Sequence, residues 1–164
     1  MSESPTIQTR EEVMFFDTDC GGVVHNIAYL RMVETNRTRL AARLGMKLKD
    51  MAQTQLFPVV VRTEIVYRKP ATLGDELIID GKLESIERAR FWCAFEMRRA
   101  SDNALLITCC QALALVQMPQ GRPMRLPEEW SQQYPHLMLK KGRSEDSTHA
   151  APAPTPQAAA PGSK

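Results

Sequence analysis

The fold is decided by residues 17–45, DTDCGGVVHNIAYLRMVETNRTRLAARLG, in which a glycine-rich turn leads directly into a helix pattern. Apolar residues recur near helical spacing at Leu30, Val33, Leu40, Ala41 and Leu44. Arginines occupy outward positions between them, and Gly45 supplies a stop signal. The pattern predicts one amphipathic helix of about five turns, at 3.6 residues per turn.

Strand patterns lie on both sides of this helix. A short apolar run, Glu12 to Phe16, precedes the turn, and everything after the helix predicts strands, at residues 59–67, 77–86, 91–98 and 105–118. Their short connections favour consecutive antiparallel pairing, which makes an α+β domain with a five-stranded sheet and one long helix. One helix leaves the other sheet face uncovered, so we expect a homodimer or homotetramer.

Composition is that of an ordinary globular protein, with 164 residues, 43% hydrophobic and 24% charged. The net charge of +2 is spread along the chain and gives a nucleic-acid partner little support. The polar start is no secretory signal, and no apolar run reaches the roughly 20 residues of a membrane span, so a cytoplasmic location is expected. We expect disorder in residues 1–7, one domain over 8–140, and a disordered Ala/Pro-rich tail over 141–164.

The four cysteines, Cys20, Cys93, Cys109 and Cys110, form no C-x-x-C pair and no Cys/His cluster at zinc spacing. We therefore expect small buried side chains in a reducing compartment and no metal site.

The densest polar signal is the segment from Asp17 to Asn26, between the first strand and the helix. Either aspartate there is a plausible helix or turn cap. An EF-hand loop beginning at Asp17 is rejected because Ala28 stands where a glutamate ligand is required. Asp-x-Asp after a strand also opens haloacid-dehalogenase-like phosphatase sites, but those proteins are doubly wound α/β folds. A thiolate at Cys20 with His25 as its base is a third alternative.

A second segment, Tyr67 to Leu77, is YRKPATLGDEL. Together the two segments resemble the hotdog-fold acyl-CoA thioesterases of the 4-hydroxybenzoyl-CoA thioesterase and YbgC-like group. The matching positions are Asp19, Gly22, Asn26, Tyr29 and Leu30 in the first segment, and Tyr67, Pro70, Ala71, Gly74 and Asp75 in the second. The resemblance implies a hotdog fold, in which the sheet wraps around the central helix, and active-site clefts between subunits.

The resemblance also implies roles for particular residues. Asp19 matches the catalytic carboxylate, as nucleophile or as general base on water. The N–H of Asn26 matches the group that polarises the thioester carbonyl, and Glu34 matches an acidic helix position that would support a neighbouring subunit's site. Gly22, His25 and Tyr29 are assigned to substrate binding.

Coenzyme A brings phosphates to the protein surface, so cationic side chains should ring the entrance. The candidates are Arg68, Lys69, Arg88 and Arg90. The expected reaction is hydrolysis of an acyl-CoA to a carboxylic acid and CoA, without a metal or redox cofactor. An acyl carrier protein substrate and a non-catalytic acyl-CoA-binding module remain alternatives at this point.

Overall fold

The computed structural model of the chain describes residues 4–139, so the tail predicted over 141–164 lies outside the described residues. The helices are α1 Asn26–Arg43, α2 Leu48–Thr54 and α3 Glu128–Gln133, with 3-10 helices at Phe15–Asp17 and Pro135–Leu137. The strands are β1 Thr6–Glu12, β2 Leu56–Tyr67, β3 Glu76–Ile86, β4 Arg90–Arg99, β5 Leu105–Gln117 and β6 Arg122–Pro123. Among residues 4–139, no helix is long and apolar enough to cross a membrane.

The strands form one antiparallel sheet in the order β1-β3-β4-β5-β2, with β6 paired to β5. The predicted α+β architecture is confirmed, although the sheet has a sixth strand of two residues. The 18-residue α1 ends two residues before Gly45, whose φ of +88° favours glycine. Its apolar stripe packs on β3 and β1 and forms the core with the inner sheet face.

The start of the domain differs from the prediction. The first strand is Thr6–Glu12, not Glu12 to Phe16, so Thr6 and Ile7 belong to β1 although disorder was predicted through residue 7. β1 is an edge strand with a mostly exposed, polar sequence, and it therefore lacks the apolar alternation that marks a half-buried strand. The apolar run after it enters a 3-10 helix, where the side chains of Phe15 and Phe16 are 81% and 68% exposed.

Two short helices are missing from the sequence prediction, which assigned only strands after α1. α2 buries only Met51, and α3 buries only Trp130. Each has fewer than two full turns, too few for a helical period to stand out. The indole N–H of Trp130 donates to the carbonyl of Leu44 at 3.2 Å, which ties α3 to the end of α1.

A buried amide fixes α1 against the sheet. The Nδ2 group of Asn36, on a side chain with no exposed surface, donates to Ile79 O at 2.9 Å and to Thr9 Oγ1 at 3.0 Å. Asn36 Oδ1 lies so close to Gly81 that a Cβ at residue 81 would be 2.0 Å from it and 3.0 Å from a ring carbon of Phe95. Gly81 therefore provides the space in which the helix and sheet approach each other.

Gly81→Ala should lower the free energy of unfolding by about 1–3 kcal/mol, because the added methyl group overpacks the contact with Asn36. Urea unfolding of the wild type and the variant measures this loss. The double variant Gly81→Ala with Asn36→Ala is the control, since removing the amide clears the clash with Oδ1. A double variant that falls by the sum of the two single losses would contradict this account.

Candidate active site

The segment from Thr18 to Val24 closes on itself as a tight turn. Thr18 and Val24 form an antiparallel bridge, and the N–H of Asp19 donates to Val23 O at 2.9 Å. Gly22, with a φ of +74°, donates its N–H to Asp19 O at 3.0 Å. Gly22, which was predicted to bind substrate, therefore has a backbone role here. Its positive φ allows the chain to reverse direction next to Asp19.

Asp19 is exposed near the start of this turn. Its Oδ1 accepts the N–H of Gly21 at 2.8 Å, which fixes the carboxylate against the backbone. Among residues 4–139, no protein group donates to its Oδ2. A carboxylate held by one oxygen and open at the other can contact a substrate or a water molecule.

The neighbouring aspartate has a different environment. Asp17 is 1% exposed, its Oδ1 lies 3.0 Å from Nη2 of Arg31, and its Oδ2 accepts the N–H of Met14 at 3.0 Å. The main-chain oxygen of Asp17 accepts the N–H of His25, also at 3.0 Å. Both carboxylate oxygens are thus engaged, as expected for a structural residue rather than one half of a catalytic Asp-x-Asp pair.

Helix α1 begins beside the turn. His25 is its N-cap, and His25 Nδ1 accepts the N–H of Ala28 at 3.1 Å. In a neutral ring the proton then resides on Nε2, so His25 can donate a hydrogen bond to a substrate but does not offer Cys20 a base at Nδ1. Within residues 4–139, the N–H groups of Asn26 and Ile27 have no protein acceptor, and both residues are exposed. These donors, at the positive end of the helix dipole, suit a developing oxyanion.

The two segments that carry the family resemblance are joined by hydrogen bonds. The N–H of Val24 donates to Ala71 O at 2.9 Å, and the N–H of Ala71 donates to the Tyr29 hydroxyl at 3.0 Å. Val23 also forms an antiparallel bridge with Thr72. The start of α1 and the β2–β3 connection therefore form one junction beneath Asp19.

Tyr29, predicted to bind substrate, is 3% exposed and lies within that junction. Its ring packs on Tyr67 with centroids 5.8 Å apart. Burial raises the pKa of the Tyr29 phenol above its ordinary value, against the smaller lowering effect of the Ala71 N–H. The hydrogen bond from Ala71 and the ring contact with Tyr67 give Tyr29 a structural role in the junction.

The end of the second segment is a hydrogen-bonded loop. Oδ2 of Asp75 accepts the N–H of Thr72 at 2.9 Å and lies 3.4 Å from Nη1 of Arg99. Gly74, with a φ of +82°, donates its N–H to Val13 O at 3.0 Å. Gly74 and Asp75 therefore match the family pattern for structural reasons, since they shape the loop that carries Ala71.

Glu34 lies on the exposed side of α1, with its carboxylate 3.7 Å from Arg37. It follows Asn26 by eight residues, or about 12 Å along the helix axis at 1.5 Å per residue. One chain therefore does not bring Glu34 to Asp19.

The four candidate cations fall into two pairs. Arg68 and Lys69 are exposed in the connection that carries Ala71, at the same end of the sheet as Asp19. Arg88 and Arg90 lie at the β3–β4 turn, and Arg90 is level with Ala114 on β5, whereas Tyr67 is level with Ile107. Seven residues of strand separate these levels by about 23 Å at 3.3 Å per residue. One chain therefore cannot place all four around one CoA entrance.

Cys93 and Cys109 are buried as the sequence predicts, whereas Cys110 is half-buried. Burial raises the pKa of Cys93 to about 12, of Cys109 to about 11 and of Cys110 to about 12, so these thiols stay protonated at neutral pH. Cys109 and Cys110 point to opposite sheet faces. Cys20, predicted to be buried, is exposed because it occupies the turn beside Asp19.

Sequence reasoning did not identify Arg31 as part of the site. Arg31 was counted as an outward helix residue, yet it pairs with Asp17 and its guanidinium carbon lies 5.9 Å from the ring centre of Phe16. The partner stands 14 residues away across a turn, a separation that helical spacing does not reveal.

Two cavities lie away from Asp19. A groove of about 740 Å³ crosses the outer sheet face and is lined partly by Glu64, Asp80, Lys82, Glu84 and Glu96. A smaller cavity of about 210 Å³ lies between α1, α2 and the inner sheet face, with Glu34 and Arg37 in its lining. Within residues 4–139, no three Cys, His, Asp or Glu side chains are grouped so that they could hold a metal ion.

Comparison with known proteins assigns the chain to a family. The family model of the thioesterase-like superfamily matches residues 13–134, well over half of the chain. This protein belongs to the thioesterase-like superfamily.

Individual relatives of this thioesterase-like protein agree with the family assignment. The acyl-CoA thioesterase YbgC of Haemophilus influenzae is 29% identical over 126 residues, which cover 76% of this chain and 91% of the relative. A probable thioesterase structure from Bartonella henselae has a TM-score of 0.69 and 28% identity, covering 74% of this chain and 99% of that one. The 1,4-dihydroxy-2-naphthoyl-CoA thioesterase structure from Synechocystis has a TM-score of 0.70 at 22% identity, covering 80% and 97%. The predicted family and the hotdog fold are confirmed.

The two aspartates should respond differently to substitution. Asp17→Asn should lower the free energy of unfolding by about 1–3 kcal/mol, because the new amide group presents a donor to Arg31 or to the N–H of Met14. Asp19→Asn should change it by less than about 0.5 kcal/mol, because Asn still accepts from Gly21 on an exposed turn. Chemical unfolding of both variants measures the difference. Equal losses would contradict the distinct environments of the two carboxylates.

Proposed function

We propose that this chain is an acyl-CoA thioesterase in which Asp19 supplies the reacting carboxylate and the N–H of Asn26 holds the thioester oxygen. The observation that supports the proposal is the junction at Ala71, because it joins the turn that carries the exposed, half-engaged Asp19 carboxylate to a helix start whose first N–H groups are open. The acyl-CoA thioesterases named among its relatives supply the substrate class.

The reaction adds one water molecule across the C–S bond of the thioester. With Asp19 as general base, the carboxylate takes a proton from water while the hydroxide oxygen bonds to the acyl carbon. With Asp19 as nucleophile, an acyl-aspartyl anhydride forms first and water then hydrolyses it. Both routes place negative charge on the carbonyl oxygen before CoA thiolate leaves and takes up a proton. The N–H groups at the start of α1 stabilise that charge.

Arg68 and Lys69 suit the phosphates of CoA, because both are exposed on the connection that carries Ala71 and is bonded to the turn of Asp19. An extended cofactor can leave the acyl carbon at Asp19 and carry its phosphates to this rim. Arg88 and Arg90 reach the same entrance only from a second copy of the chain.

Asp19→Asn should reduce turnover of acyl-CoA substrates by about 10²–10⁴-fold, the usual contribution of a positioned acid or base, while substrate binding persists. Release of CoA thiol from a panel of acyl-CoAs, followed with a chromogenic disulfide, measures turnover. Cys20→Ser, at the adjacent residue, is the matched control and should retain turnover within about twofold. If Cys20→Ser loses activity while Asp19→Asn keeps it, the Cys20 thiol rather than the Asp19 carboxylate is the reacting group.

The second chain is proposed from the free edge of the sheet. β2 pairs with β5 on one side only, and at this edge Val59, Val60 and Val61 are 36%, 39% and 52% exposed. An apolar edge strand of 12 residues is a template for pairing with another strand. We propose that two copies pair through β2 about a two-fold axis, which makes the strands antiparallel and the sheet continuous.

Val59→Glu should weaken this dimer by at least about tenfold in dissociation constant. If β2 pairs with itself along its whole length, residue 59 lies opposite Glu64 of the second copy, and like charges directly opposite each other destabilise a strand pair. Sedimentation velocity over a concentration series measures the association. Thr6→Glu, on the opposite edge strand β1, is the control and should leave the dimer intact. A monomeric wild type, or a dimer indifferent to Val59→Glu, would refute pairing through β2.

A further inference from the structure

We infer that Arg99 is a positioning residue for the reaction at Asp19, although it lies outside both segments that carry the family resemblance. Arg99 acts through Asp75 and Thr72, which connect it to the turn that carries Asp19. This inference rests on the proposed hydrolase, and it adds a residue whose loss should slow turnover without weakening the binding of substrate.

Arg99 lies between two carboxylates at the end of the sheet where β3 begins. It is the last residue of β4, and its main chain is opposite Leu77. Nη1 of Arg99 lies 3.4 Å from Oδ2 of Asp75, and Nε lies 3.3 Å from Oδ1 of Asp102. The arginine side chain is only 23% exposed. Contacts on two sides of a planar guanidinium that is mostly shielded from water restrict its orientation.

Asp75 joins Arg99 to Thr72. Oδ2 of Asp75 accepts the Thr72 N–H at 2.9 Å and the Thr72 hydroxyl at 3.2 Å, as well as Nη1 of Arg99. Because the Asp75 side chain is 19% exposed, most of it is removed from water, and the arginine compensates its charge. Without Arg99, the carboxylate would turn toward water, and its two bonds to Thr72 would weaken.

Thr72 contacts the turn that carries Asp19. It forms an antiparallel bridge with Val23, and Val23 O accepts the N–H of Asp19 at 2.9 Å. The main chain of Asp19 is therefore connected to Arg99 by a continuous series of contacts through Val23, Thr72 and Asp75.

Two anchors therefore hold the same turn. The peptide of Ala71 is neutral and buried, and it bonds to Val24 at the end of the turn. Arg99 restrains Thr72, the next residue of the connection. Loss of Arg99 leaves the Ala71 bonds in place, so the domain should stay folded while Asp19 is less precisely placed. A displacement of about 1 Å at a reacting group can cost about 10²-fold in rate.

Arg99→Met is the test variant, because methionine removes the charge and keeps an unbranched side chain. Arg98→Met is the matched control. Arg98 is the adjacent residue of β4, and its guanidinium lies 2.7 Å from Glu96, which lines the groove on the outer sheet face. Both variants lose an arginine and its ion pairing, but only Arg99→Met loses the contact with Asp75.

We expect Arg99→Met to lower kcat for acyl-CoA hydrolysis about 10–100-fold and to change KM less than about twofold, because it displaces the reacting carboxylate and leaves the substrate contacts in place. Arg99→Lys should recover part of the loss, since an ammonium group can pair with Asp75 but cannot reproduce the two-sided contact of the planar guanidinium. Arg98→Met should match the wild type within about twofold. An unchanged kcat in Arg99→Met, or the same loss of kcat in Arg98→Met, would overturn the inference.

Substitution of Asp75 shows whether Arg99 acts through it. Asp75→Asn keeps an oxygen for the Thr72 N–H and loses the charge that pairs with Arg99. The double variant Arg99→Met with Asp75→Asn should therefore have a kcat within about twofold of the slower single variant. A loss in the double variant equal to the product of the two single losses would show that the residues act independently, which contradicts the inference.

Amide hydrogen exchange tests the positioning even if the wild type hydrolyses nothing. Exchange of the Asp19 N–H, followed by NMR, should be at least about tenfold faster in Arg99→Met and within about twofold of the wild type in Arg98→Met. Exchange at Met32, which lies within α1 and has no exposed surface, reports on the whole fold. Unchanged exchange at Asp19, or an equal increase at Asp19 and Met32, would overturn the inference. The expected pattern with an inactive wild type would support the role of Arg99 in fixing the turn and refute the hydrolase proposal.

Discussion

The peptide groups of Ala71 hold the candidate site together. The Ala71 N–H meets the hydroxyl of Tyr29, and its carbonyl accepts the N–H of Val24. Ala71 has no exposed surface, so leaving one of these groups unpaired would cost about 1–3 kcal/mol. The turn that carries Asp19 and the helix start that carries Asn26 both take their position from this junction. The positions of Asp19 and Asn26 therefore depend on a contact inside the protein.

Two aspartates, two residues apart, have opposite environments. Asp17 is buried and meets Arg31 on one oxygen and a backbone donor on the other, which makes it part of the scaffold. Asp19 is exposed and retains one oxygen for other partners. A carboxylate whose oxygens are both engaged has little freedom to exchange protons with a substrate, whereas a half-engaged one is oriented and still accessible. Spacing in the sequence does not distinguish them, because burial is a property of the whole fold.

Local periodicity predicted α1 and most of β2 to β5, because each is long enough to show its repeat. It failed for β1, whose polar edge sequence has no such repeat, and for α2, which is too short. The motifs gave Asp19 and Asn26 as neighbours because both lie within one turn of chain. They could not show that Arg68 and Arg88 lie at opposite levels of the sheet, since that follows from strand register.

The edge of β2 suits the self-pairing proposed above. In that dimer, a two-fold axis through the middle of the strand repeats every contact between the two copies. The register of β2 shifts between Val60 and Arg62, near that midpoint, and Arg62 pairs with Glu64 at 3.4 Å. A bulge and charged side chains discourage pairing with unrelated strands. In the proposed dimer, the second copy carries the same bulge at the same place, so the two irregularities meet at the axis instead of opposing a regular strand.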